Sequence, residues 1–110
     1  MNFKKYIEDF QSIIGVKSVG IVNIKSCKTI FRSDNVPKYF IEILKKTCQM
    51  LNTSILDLKI GKFLFKRGDL YYVGYREQDI ILLIEYERNI NKNILKLKVN
   101  IFLNNVLLNS

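Results

Sequence analysis

Between Asp57 and Glu87 the chain carries three runs of strand-forming residues divided by two short polar connections. The runs are Leu58 to Lys66, Leu70 to Arg76 and Ile80 to Glu87; the connections are Arg67-Gly68-Asp69 and Glu77-Gln78-Asp79. That spacing is the pattern of a three-stranded antiparallel meander. Ile80 to Ile84 is apolar at every position, so both faces of that strand need covering and it is expected at the centre of a sheet. Everything on either side of the meander must then cover or extend it.

The N-terminal segment places Phe3, Tyr6, Ile7, Phe10, Ile13 and Ile14 at helical spacing along one stripe of roughly 120°. A helix from Phe3 to Ile14 is expected, closed by Gly15. Ser18 to Ile24 and Lys28 to Ser33 read as a strand pair joined at Lys25-Ser26-Cys27. The first of these is apolar on both faces, and Gly20 leaves a flat spot where a helix can approach closely. The second is more polar, as an edge would be. Asp34 and Asn35 can cap a second helix with Pro37 in its first turn, running to about Leu51. Its apolar residues spread over roughly 200°, more than one sheet face needs. Either the helix is deeply buried, or a shoulder carrying Tyr39, Ile43 and Met50 meets another chain. Asn89-Ile90-Asn91 caps a last segment from about Lys92 to Leu107, read as a helix, although its β-branched content leaves a strand open. It carries two stripes: Ile94, Leu97, Ile101 and Leu108, and on a different side Leu95, Val99, Phe102 and Val106. Two stripes suggest packing on the sheet and on the first helix, or a second stripe that serves a partner.

These elements give an α+β fold of order α-β-β-α-β-β-β-α in one domain spanning residues 1–110. The strand Ser18 to Ile24, also two-sided, is the natural neighbour of Ile80 to Ile84. A five-stranded antiparallel sheet of order 2-1-5-4-3 follows, with helices on both faces. The meander's first strand, Leu58 to Lys66, then lies at an edge. Its lysines at 59, 62 and 66 discourage uncontrolled pairing, yet Phe63, Leu64 and Phe65 follow one another. Two copies aligned antiparallel about a twofold axis would fuse two sheets into one.

Composition narrows the chemistry. The chain has no histidine, which removes every Ser-His-Asp and Cys-His hydrolytic arrangement. With two cysteines besides, a zinc site lacks ligands, and no metal or cofactor is expected. Cys27 and Cys48 stand far apart and in no CxxC pair, so two reduced thiols are expected. Glu85 and Glu87 share one strand face without a pocket signature and read as a solvated strand end. The net charge of +8 invites a nucleic-acid reading, with Tyr71, Tyr72 and Tyr75 beside Lys66, Arg67 and Arg76 as the stacking cluster. Against it, the basic residues are scattered and mostly lysine, and the wealth of Ile, Lys and Asn without Ala or Trp matches AT-rich coding. No nucleic-acid partner is expected. The longest apolar run, Ile80 to Ile84, is far short of a membrane span, and the N-terminal decapeptide, with Glu8 and Asp9 and no apolar central block, is no signal peptide. A soluble, cytoplasmic protein is expected.

At the level of residues the chain resembles the Roadblock/dynein light chain family. Gly15-Val16-Lys17-Ser18-Val19-Gly20-Ile21-Val22-Asn23 is similar to that family's first strand, Ile30-Phe31-Arg32-Ser33 to its second, and Leu82-Leu83-Ile84 to the apolar core of its last. Longin and profilin-like interaction modules share parts of this layout. The resemblance implies a non-enzymatic dimer, formed with itself or with another Roadblock-type chain, that acts as a platform for a Ras-like small GTPase. It implies pairing through the second helix and the third strand. On this chain those positions are Tyr39, Ile43, Lys46 and Met50, with Lys59, Gly61, Phe63 and Phe65. Arg32, Arg67, Arg76 and Arg88 then read as surface residues rather than an arginine finger. The chain has no GxxxxGK[ST] loop, so it is not itself the GTPase.

Overall fold

The computed structural model describes residues 2–53 and 61–108. Its elements run α1 (Phe3–Gln11), β1 (Val16–Asn23), β2 (Lys28–Arg32), α2 (Lys38–Thr53), β3 (Lys62–Arg67), β4 (Leu70–Glu77), β5 (Ile80–Glu87) and α3 (Lys92–Leu108). The five strands form one antiparallel sheet in the order β2-β1-β5-β4-β3, as the two-sided strands require. β5 sits at the centre and exchanges full registers with both neighbours, Ile21 opposite Leu82 on one side and Val73 opposite Ile84 on the other. Its residues Ile81 to Tyr86 are all buried, because layers lie on both faces.

Side-chain alternation divides those layers. One face carries Val19, Ile21, Val73, Leu82 and Ile84 against Ile7 and Phe10 of α1 and Leu95, Val99, Phe102 and Val106 of α3. The Phe102 ring meets Phe3, Tyr6 and Phe10, with centroids 6.2, 5.3 and 6.0 Å away. The other face carries Val22, Ile24, Tyr72, Ile81 and Leu83 against Phe40, Leu44 and Cys48 of α2. Gly20 is what lets α2 sit so low: a Cβ built there would lie 2.6 Å from a Leu44 methyl.

Four expectations change in detail. The first helix ends at Gln11, not Ile14. The chain turns away through Gly15 at φ +100°, leaving Ile13 in the core and Ile14 92% exposed. α2 begins at Lys38, after Pro37, with Asn35 in a left-handed turn ahead of it. The last segment is a helix, and one of its stripes satisfies both the sheet and α1. The stripe Ile94, Leu97, Ile101, Leu108 remains exposed. Cys27 and Cys48 are bonded as a disulfide, with Cα atoms 5.7 Å apart, instead of two thiols. Their separation of 21 residues hides the fact that the β1–β2 turn folds beneath α2. That turn is held by the Asn23 carboxamide oxygen, which accepts from the Lys25 and Ser26 N–H groups at 2.9 and 3.2 Å. Cys27 there takes φ +53°.

Candidate protein-interaction site

β3 is an edge strand whose sole sheet neighbour among the described residues is β4. Alternation turns Phe63, Phe65 and Arg67 toward the α2 face and Lys62, Leu64 and Lys66 toward the other. On the α2 face, Phe63 lies opposite Gly74. A Cβ on Gly74 would lie 1.9 Å from the Phe63 ring, so the missing side chain is what seats the ring on the sheet. Phe63, Phe65 and Tyr72 form a row of near-parallel rings with centroid spacings of 6.4 and 4.7 Å. Phe65 nonetheless stays 37% exposed and Leu64 63%. Burying side chains that apolar costs nothing in polar desolvation, which is how an edge becomes adhesive.

Above this row runs the shoulder of α2. Tyr39, Ile43, Lys46 and Met50 follow at steps of four, three and four, which superimposes them on one side of the helix. Tyr39 and Ile43 pack into the same cluster as Phe63. Lys46 and Met50 point to solvent, Met50 at 72% exposure. Arg67 at the end of β3 closes over the Tyr39 ring, its guanidinium carbon 4.3 Å from the centroid. Gly61 is exposed and accepts the Arg76 N–H at 3.1 Å. The structure thus gathers Tyr39, Ile43, Phe63 and Phe65 on one face of the sheet. Lys59, and the strand expected from Leu58 to Ile60, lie outside the described residues.

Beneath Tyr39 lies a polar group that sequence reasoning missed. Glu85 was expected at a solvated strand end, yet it is 1% exposed. The Tyr72 hydroxyl donates to one carboxylate oxygen at 2.6 Å and the Ser18 hydroxyl to the other at 3.1 Å. Burial, then the bond to Glu85, pushes the Tyr72 phenol far above its ordinary range. Burial, then Glu85, raises Tyr39 as well. Glu87, two residues on, is surface-exposed and pairs with Lys17 at 2.8 Å. The burial of Glu85 has a plain cause: β5 is the central strand, and α2 covers it as far as Glu85. The partners that would have flagged the site, Ser18 and Tyr72, come from two other strands, so no local pattern marks them. All donors point at one carboxylate and stay protonated, which suits an anchor for Tyr72, and through it Phe65, rather than proton transfer.

The aromatic-basic cluster considered for base stacking is split by the fold. Tyr72 is buried on the α2 face, while Tyr71 and Tyr75 lie on the opposite one. Lys66 sits over Tyr71 at 5.3 Å and Lys62 over Tyr75 at 5.9 Å, so these two pairs stay on one face while Tyr72 is withdrawn to the other. Among the described residues no cluster of His, Cys, Asp and Glu could hold a metal, and no helix is long and apolar enough to cross a membrane.

No protein-family model matches the chain, and no curated protein matches it in sequence. Solved structures do match in shape. A Roadblock/LC7 domain from Streptomyces avermitilis superposes with a TM-score of 0.70 at 7% identity, covering 90% of this chain and 88% of that one. MglB of Myxococcus xanthus gives 0.70 at 9% identity, covering 91% and 89%. MglC of the same organism gives 0.66 at 11% identity over the full length of both. The fold of this chain is that of a Roadblock/LC7 domain.

Proposed function

We propose that this chain is a non-enzymatic Roadblock-type platform that dimerises and binds a Ras-like small GTPase, regulating it by scaffolding or by promoting hydrolysis. One observation carries the reading: an apolar edge strand and an exposed helix shoulder form a continuous surface on one side of a Roadblock/LC7 fold. Two copies joined antiparallel along β3 would satisfy both backbone edges and cover Leu64 and Phe65. The shoulder Tyr39, Ile43, Lys46, Met50 would pack against its twofold mate, with Gly61 just ahead of the paired strands. The GTPase would engage the resulting twin platform. Arg67 lies over the Tyr39 ring and the Arg76 Nε donates to the Gln78 carbonyl at 3.4 Å, contacts that support reading both as surface residues rather than an arginine finger.

Light scattering tests the assembly. The mass in solution should be twice the 13.0 kDa of the chain, and Ile43→Glu should return it to the monomer with an unchanged circular dichroism spectrum. A wild-type monomer at micromolar concentration would end the dimer reading. For the partner, the immobilised protein should retain a small GTPase from lysate of the source cell in a nucleotide-dependent manner, and Ile43→Glu should lose it.

A further inference from the structure

Of the described helices only α2 covers its face of the sheet, and its two halves are fastened there by different means. The first half is held by packing: Phe40 and Leu44 are buried and lie over Gly20. From Lys45 to Leu51, Cys48 is the one buried residue, and a disulfide joins it to Cys27 of the β1–β2 turn. Cys48 continues the stripe of Phe40 and Leu44 at a step of four, on the side of the helix away from Lys46 and Met50. The bond therefore sits behind the second half of the shoulder. The two sulfurs are unequal. Cys48 is fully buried, whereas Cys27 is partly exposed in a turn whose residues Lys25, Ser26 and Lys28 are exposed. Both lie near an acceptor for a thiol proton: Cys48 Sγ is 3.3 Å and Cys27 Sγ 3.7 Å from the Ile24 carbonyl oxygen. A reduced pair would keep those partners, and the packing of Phe40 and Leu44 contains no sulfur contact to lose.

We propose that the Cys27 sulfur is a site of thiol–disulfide exchange, through which a dithiol reductant frees the second half of α2 and weakens the dimer; the effect on the dimer rests on the assembly proposed above. Exposure chooses the point of attack, since the Cys27 sulfur is the one a thiolate can reach. A thiolate of the reductant forms a bond to Cys27 Sγ, the Cys27–Cys48 bond breaks, and Cys48 leaves as a thiolate that takes up a proton. The second thiol of the reductant then attacks the mixed disulfide, closes the reductant's own disulfide and releases Cys27, which is protonated in turn. Two electrons and two protons pass from the dithiol to the pair. A disulfide oxidant such as glutathione disulfide reverses the exchange. With the bond cut, Tyr39 and Ile43 stay seated through Phe40 and Leu44, while Lys46 and Met50 lose the covalent tie behind them. A surface that must match its twofold mate along the whole shoulder would then match along only half of it.

The test uses the full chain, with dithiothreitol as the dithiol and glutathione disulfide as the oxidant. Under native conditions reduction should run to completion while the circular dichroism spectrum is kept, and iodoacetamide should label Cys27 before Cys48 by mass spectrometry. Amide hydrogen exchange from Cys48 to Leu51 should quicken by about tenfold or more on reduction, with β5 and the segment Ile41 to Leu44 unchanged. The dissociation constant of the dimer should rise by about tenfold or more, and glutathione disulfide should restore it. Cys27→Ser should show the reduced values of both quantities with or without dithiothreitol. The exchange measurement needs no dimer. A chain that is monomeric in both states ends the dimer reading, and faster exchange from Cys48 to Leu51 in that monomer still supports the exchange site. A disulfide that yields to dithiothreitol only when the chain unfolds overturns the proposal, as does exchange indifferent to reduction. So does a pair of thiols that glutathione disulfide fails to join, or a dimer whose dissociation constant ignores the bond.

Discussion

Glu85 is the residue on which the candidate site turns. A carboxylate 1% exposed is tolerated because two hydroxyls donate to it. Tyr72→Phe leaves one oxygen without its donor and should lower stability by about 2 kcal/mol in guanidinium unfolding. The same bond predicts an alkaline signature. Tyr72 ionises well above its unfolded value of 10.0 in the native state. The native state therefore holds its proton where the unfolded chain has lost it, so the contribution is complete below about pH 10 and declines as pH rises beyond it. Stability measured from pH 8 to 11 should fall more steeply for the wild type than for Tyr72→Phe. Gly20 offers a second test. An alanine methyl there would press on Leu44, so Gly20→Ala should cost about 2 kcal/mol. In a Leu44→Ala background the same change should cost less, because the two sites share one space.

At the scale of elements, the disulfide joins the β1–β2 turn to the second half of α2. It closes a loop separated by 21 residues, which restrains the unfolded chain by about 3 kcal/mol. Thiol titration of the denatured, unreduced protein should find no free thiol, and two after reduction. Reduction should lower the melting temperature by several degrees. Because α2 carries the shoulder that would face a second subunit in the proposed dimer, Cys48→Ser should also loosen that dimer. β3 shows the opposite arrangement. It is held by one ladder and by the rings of Phe63 and Phe65, so it has less support than the central strands β1, β5 and β4. Gly74→Ala should unseat Phe63 and weaken dimerisation more than it lowers global stability, measured by light scattering beside thermal unfolding.

At the scale of the molecule, two apolar surfaces lie on opposite faces of one sheet. The α2 and β3 surface carries the proposed twofold contact, and the α3 stripe stands exposed on the other side. The chain carries an excess charge of +8, and Lys62 and Lys66 stand on the apolar edge strand β3.

The sequence by itself determined the order of elements, the sheet order and the central place of β5. Those follow from periodicity and from a strand apolar on both faces, which are properties of consecutive residues. It also determined that Gly20 would admit a helix and that β3 would be an edge. What only the tertiary structure decided are meetings between distant residues. Ser18, Tyr72 and Glu85 converge from three strands, and Cys27 meets Cys48 beneath a helix. Likewise, the sequence displayed two stripes on α3, but which of them is exposed depended on where α1 came to lie. A helix records its own faces in its sequence. Which face is covered is recorded only in the elements packed against it.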